Sequence, residues 1–118
     1  FNGQATQAKS AVAKDSLRIL REAIDLYASR HGGTSPGYAS GEPDADRFVE
    51  QMVVEGECLR RVPENPFNNL NTILMVADEE SFPTTATGDY GWIYQPATRT
   101  IRLDWPKCDT DDVCYLDY

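Results

Sequence analysis

Residues 6–31 constrain this chain more than any other stretch. At about 100° per residue, Val12, Ala13, Leu17, Ile19, Leu20, Ala23, Ile24, Leu26, Tyr27 and Ala28 fall in one broad arc. Lys14, Asp15, Arg18, Arg21, Glu22 and Asp25 fill the remainder. The spacing predicts one long amphipathic helix, uninterrupted by Pro or Gly, with ion pairs expected between Asp15 and Arg18, Arg18 and Glu22, and Arg21 and Asp25. His31-Gly32-Gly33 then offers a basic last turn and a residue able to take positive φ, which is how helices commonly stop. A rod of this length needs a layer to receive its apolar side, and Leu17, Leu20, Ile24 and Tyr27 are expected to be its packing residues.

The rest of the chain must supply that layer. With 118 residues there is room for one domain, in which a single helix lies on a single sheet. The net charge of -8 argues against a nucleic-acid partner, because a phosphate-binding surface needs clustered Lys and Arg undiluted by carboxylates. A surface this acidic leaves divalent cations as plausible partners, as in any carboxylate-rich chain. No run approaches the ~20 apolar residues needed to span a bilayer.

Between Gly33 and Pro43 the composition changes to Gly, Ser, Pro and Thr, a turn-rich loop. Asp44 then precedes Phe48, Val49, Met52 and Val53 at helical spacing, a short second helix ending near Gly56. Val62-Pro63-Glu64-Asn65-Pro66-Phe67-Asn68-Asn69 is an ordered crossing loop, since its prolines remove amide donors and restrict the residues before them. Residues 72–77 form an apolar run of strand length. Residues 90–95 and 100–105 are two further strands, joined by Pro96-Ala97-Thr98-Arg99. A four-residue loop built on a type I turn pairs Tyr94 with Ile101, Trp92 with Leu103 and Tyr90 with Trp105. That register puts the large apolar residues on one face, with Trp92, Tyr94, Ile101 and Leu103 as the sheet core, and leaves Ile93 and Gln95 opposite. The expected architecture is α+β: helix over residues 1–31, a connection with the short helix over 32–71, an antiparallel sheet over 72–105, and a tail over 106–118.

Cys108 and Cys114 bracket a short polar loop and are close enough to be bridged, which implies an oxidising compartment. Three reduced thiols, or Cys58 paired with either of the others, stay open alternatives. Inside the bracket, Asp109, Asp111 and Asp112 form an acidic cluster that either holds Ca2+ with help from backbone carbonyls or is simply solvated. The single His, His31, complements the dipole of the helix end. No nucleophile elbow, phosphate-cradling glycine loop or zinc spacing occurs, and catalysis is not expected.

Three stretches carry a likeness to a known family. They are Phe1-Asn2-Gly3-Gln4-Ala5 with the helix through Leu20, Ile24, Leu26-Tyr27 and His31-Gly32-Gly33; Val62-Pro63 to Asn69; and Gly91-Trp92-Ile93-Tyr94 with Pro96-Ala97-Thr98 and Ile101-Arg102. In this order they resemble the type IV pilin superfamily, and most closely the major pseudopilins of type II secretion. The resemblance implies a preceding apolar helix of roughly 20–25 residues inserted in the bacterial inner membrane, and a periplasmic or extracellular domain. Its implied role is a structural subunit that polymerises with copies of itself and with other pilins or pseudopilins. The alternative is a minor, adhesin-like tip module. It also strengthens the expectation of calcium near the C-terminus. Two departures stand out. Arg99 occupies a hairpin position where the family usually carries Gly, so it must take positive φ or the loop must be built differently. A cysteine-closed tail is more like a true pilin than a pseudopilin.

Overall fold

Helix α1 spans Asn2–Arg30 in the computed structural model, which describes residues 2–118. Phe1, the first residue of the stretches that carry the resemblance, lies outside the described residues. The helix stops as its glycines dictate. Gly32 sits at φ 64°, and the Gly33 amide closes back on the Ala28 carbonyl at 2.8 Å, a Schellman ending. The His31 ring stacks on Tyr27 and its Nδ1 lies 2.8 Å from the Tyr27 carbonyl oxygen, so the imidazole completes the last turn.

Only a narrow stripe of α1 is covered. Ala13, Leu17, Leu20, Ala23, Ile24, Tyr27 and Ala28 are buried, whereas Val12, Ile19 and Leu26, placed by periodicity in the same arc, are exposed. The reason is the width of what lies beneath. The sheet has three strands, β3 (Ile73–Met75), β4 (Trp92–Gln95) and β5 (Thr100–Leu103), and it shields one edge-to-edge strip of the helix. A small hairpin of β1 (Tyr38–Ala39) and β2 (Glu42–Pro43) precedes helix α2 (Ala45–Val49), which Asp44 caps by accepting from the Arg47 amide at 2.8 Å. The segment Glu50–Glu55 continues α2 as a wider, π-helical turn and brings Met52 into the core beside Phe48.

The β4–β5 register agrees with the aromatic-face argument: Trp92 pairs with Leu103, Tyr94 with Ile101 and Gln95 with Thr100. Trp92, Tyr94 and Leu103 have no exposed surface, and each such side chain contributes about 1.5–3 kcal/mol by leaving water. Tyr90 and Trp105 fall outside the paired residues; there the ladder gives way to a single bond from the Asp104 amide to the Gly91 carbonyl. Pairing of β3 departs from expectation. It runs parallel to β4, with Ile73 opposite Trp92 and Met75 opposite Tyr94, so the sheet is mixed instead of antiparallel. A parallel neighbour needs a long return connection. Residues 76–91 supply it, and Gln95 holds this connection by donating to the Ala77 and Glu80 carbonyls.

So small a sheet leaves much irregular backbone, and buried polar side chains satisfy it. Asn65, fully buried, donates to the Gly91 and Asp104 carbonyls and accepts from the Phe67 amide. Asp104, also fully buried, accepts from the amides of Thr87, Gly88 and Tyr90 and from the Thr87 hydroxyl. Asn68 ties the Gly88 and Tyr90 carbonyls to the same crossing loop. Gly91 sits where these loops cross, and a Cβ there would collide with the Leu70 carbonyl.

Arg99 has φ 54°, the left-handed conformation that costs a non-glycine residue about 1–2 kcal/mol. Its side chain compensates by reaching the loop after α1, donating to the Ser35 hydroxyl at 3.0 Å and the Gly33 carbonyl at 2.6 Å. Arg99→Ala keeps the backbone cost and loses the clamp, so it should destabilise the chain by about 1 kcal/mol more than Arg99→Gly in urea titrations. Asn65→Ala strips partners from buried backbone groups and should lower the unfolding free energy by about 3 kcal/mol. The exposed control Asn71→Ala should change it by about 0.5 kcal/mol or less.

Candidate functional site

Two regions combine chemistry-bearing residues with surface access: the outward side of α1 and the cysteine-closed tail. On α1, Val12 is 51% exposed and Ile19 and Leu26 are each 39% exposed. These three stand seven residues apart, and at 3.6 residues per turn that spacing lays them in one nearly straight row, drifting about 20° per step. Ionic residues flank the row: Arg18 bridges Asp15 at 2.7 Å and Glu22 at 3.0 Å, as their spacing predicts. The third expected pair does not form. Arg21 turns away from Asp25 and donates instead to the Ile101 carbonyl at 3.1 Å and the main-chain oxygen of Tyr118 at 2.7 Å. Leu17, Leu20, Ile24 and Tyr27 all face inward, so they hold the helix to the body and leave any outward contact to Val12, Ile19 and Leu26.

Beside this row, Val12, Ser16 and Ile19 form one wall of a groove of about 770 Å³, whose other wall is residues 58–64 with Leu59, Val62 and Pro63. Arg60 and Arg61 stand at its rim, both exposed. Cys58 lines the groove as a free, half-buried thiol, so the alternative pairings of Cys58 do not occur. Trp92 supports the same segment from below by donating its indole N–H to the Pro63 carbonyl at 2.8 Å.

In the tail, Cys108 and Cys114 are joined in a disulfide. The tail does more than hang from that bond. Tyr115 is buried in the main core, 4.5 Å from the Phe67 ring, with its hydroxyl 2.8 Å from the Ser10 hydroxyl. Tyr118 packs under the Lys14 ammonium, 4.9 Å from the ring centroid. Sequence reasoning missed Tyr115, although an isolated aromatic beyond the last strand was the signal available for it.

The acidic loop is not arranged as a cation site. Asp109 accepts from the amides of Asp111 and Val113 through Oδ1 and from the Tyr118 hydroxyl through Oδ2. Those donors occupy the directions from which a cation would approach, and Asp111 and Asp112 are exposed. Among the described residues no three His, Cys, Asp or Glu side chains come together as a metal-binding group. Asp109 is thus a loop anchor, and no cluster among the described residues supports the calcium alternative at Asp109, Asp111 and Asp112 over the solvated one. No helix among the described residues is long and apolar enough to cross a membrane.

The Tyr118 hydroxyl, followed by the Val113 amide, holds the Asp109 carboxyl below its ordinary value of 3.8, while burial, and then Asp109, raise the Tyr118 hydroxyl to about 12. A depressed carboxyl contributes stability that is complete above its unfolded value and is lost as pH falls through the folded one. Melting temperature should therefore decline as pH falls below about 4, and Asp109→Asn should remove part of that decline while lowering the neutral-pH value. Comparison of the sequence and structure with protein-family models, curated proteins and solved structures finds no match.

Proposed function

We propose that the chain is the head domain of a structural subunit that polymerises through its first helix into a type II secretion pseudopilus or a related type IV pilus-like filament. The observation that carries this reading is the exposed row Val12, Ile19 and Leu26 on an otherwise ionic helix face. A solvent-facing apolar row at seven-residue spacing supplies one of the two positions per heptad that helix-to-helix packing uses. The build of α1 supports the same reading. Its 29 residues extend about 44 Å at 1.5 Å each, comparable to the 46 Å long axis of the whole domain. From Gly3 onward Ser10 is the first residue to be buried, so the opening turns are at most half covered by the body. The α+β arrangement of one long helix on a small sheet accords with the resemblance in the sequence, and the Cys108–Cys114 bridge favours its pilus-like side over the pseudopilus.

In this reading an apolar helix precedes residue 2, anchors the subunit in the inner membrane, and lets the domain reside in the periplasm or outside the cell. Partners are copies of the chain and related subunits. Action is mechanical, with no catalytic step.

The test is Ile19→Asp in the full gene product, expressed in the cells that make it. The substitution lies on an exposed position, so melting of the isolated 118-residue domain should change by about 0.5 kcal/mol or less. Filament yield, measured by shearing and by crosslinking between Val12→Cys and Leu26→Cys subunits, should fall severalfold. Normal filaments carrying Ile19→Asp would overturn the assignment of the seam. A wild-type protein that remains monomeric in membranes would overturn the filament reading itself.

A further inference from the structure

Arg60 and Arg61 are the chain's only adjacent pair of Lys or Arg residues, and Asp78-Glu79-Glu80 is its only run of three carboxylates. Both stretches are exposed. Among the described residues neither arginine lies within salt-bridge distance of a carboxylate, and none of the three carboxylates lies within that distance of a cation. The arginines rim the groove of about 770 Å³ between α1 and residues 58–64, whose walls include Val12, Ile19, Leu59 and Val62. Glu64 adds one negative charge there against two positive ones. The acidic run lies elsewhere, in a tight turn closed by the Glu80 amide on the Ala77 carbonyl at 3.1 Å. The Tyr38 hydroxyl donates to Asp78 at 2.8 Å, Gln95 donates to the Ala77 and Glu80 carbonyls, and Arg99 clamps the adjoining β4–β5 turn to Gly33 and Ser35. These bonds hold the acidic turn at the C-terminal end of α1. The helical wall of the groove stops at Ile19, about 16 Å before that end at 1.5 Å per residue.

We infer that the groove receives the Asp78-Glu79-Glu80 turn of a second copy of this chain, with Arg60 and Arg61 pairing with its carboxylates. The pairing presupposes the filament reading and adds a second surface to the row of Val12, Ile19 and Leu26, two of which also line the groove. Charge selects the occupant. Two copies of net charge -8 repel each other over most of their surfaces, and a doubly basic rim facing a triply acidic turn reverses the sign at one place, which fixes register and excludes wrong approaches. Guanidiniums suit the role, because their planar fork meets a carboxylate through two bonds and sheds its hydration more readily than an ammonium does. Groove and turn are different surfaces at different levels of the rod, so a copy that gives its turn keeps its own groove open. A heterologous contact of this kind, offset along the long axis, builds an open row of subunits.

The experiment uses the full gene product in the cells that make it. Glu79→Cys places a thiol on the turn, and oxidation with diamide should join it to Cys58, the free thiol lining the groove of the neighbouring copy, in a ladder of crosslinked chains. Adding Cys58→Ser to the same chain should abolish the ladder. Arg60→Glu with Arg61→Glu should lower the yield of sheared filaments severalfold, and Glu79→Arg with Glu80→Arg should do the same. Co-expression of the two reversed variants should restore the yield, since the groove of each then meets the turn of the other with opposite charge. The crosslink involves no charge reversal, so it decides the matter even where a reversed variant fails to fold. Filaments that give no ladder with Glu79→Cys, or that survive both reversals undiminished, would overturn the groove contact and leave the filament reading standing. A wild-type protein that makes no filaments would overturn the filament reading and this contact with it.

Discussion

The structure depends on buried polar side chains doing what a longer sheet would otherwise do. Strands of three, four and four residues pair few amides, yet the segments between them cross the interior side of the domain. Backbone polar groups withdrawn from water must find partners. Asn65 and Asp104 provide them at one point, where the crossing loop, the return connection and the end of β5 come together. Gln51 does the same for the loop after α1 by accepting from the Gly37 amide, and the Tyr94 hydroxyl donates to the Pro36 carbonyl from beneath. The aromatic core can form because these loops are already neutralised around it.

This arrangement explains which features could be read from residue order and which could not. Local signals were legible: the glycine ending of α1, the Asp44 cap, and the hairpin register that sets Trp92 beside Leu103 all follow from neighbours within a few positions. The dilemma posed at Arg99 also had a local answer, positive φ, but its compensation by Ser35 and Gly33 joins residues more than sixty positions apart. Nothing in the order of residues 72–77 distinguishes a strand that enters parallel from one that enters antiparallel. That choice belongs to the path of residues 76–91, which Gln95 and Asp104 fix from afar.

The first helix shows the same limit from the other side. Periodicity assigned ten residues to one apolar arc, but a sheet this narrow covers only part of it, and the excluded members became the exposed row. Arg21 escaped its expected partner Asp25 for a similar reason: β5 and the tail offered two main-chain oxygens within reach of its guanidinium. In the acidic loop Asp109 serves amides of its own turn and the Tyr118 hydroxyl, partners that its spacing did not name. In each instance the residue type was informative and the partner was not, since the partner arrives from a distant part of the chain.

The hydroxyl contact between Ser10 and Tyr115 spans 105 positions. During synthesis α1 therefore emerges long before the aromatic ring that completes its packing, and its greasy stripe has to wait for the 105 positions between Ser10 and Tyr115. Contacts of such long range are entropically slow to close. A nascent domain of this design keeps its first helix only partly covered until the aromatic ring 105 positions further on has been made.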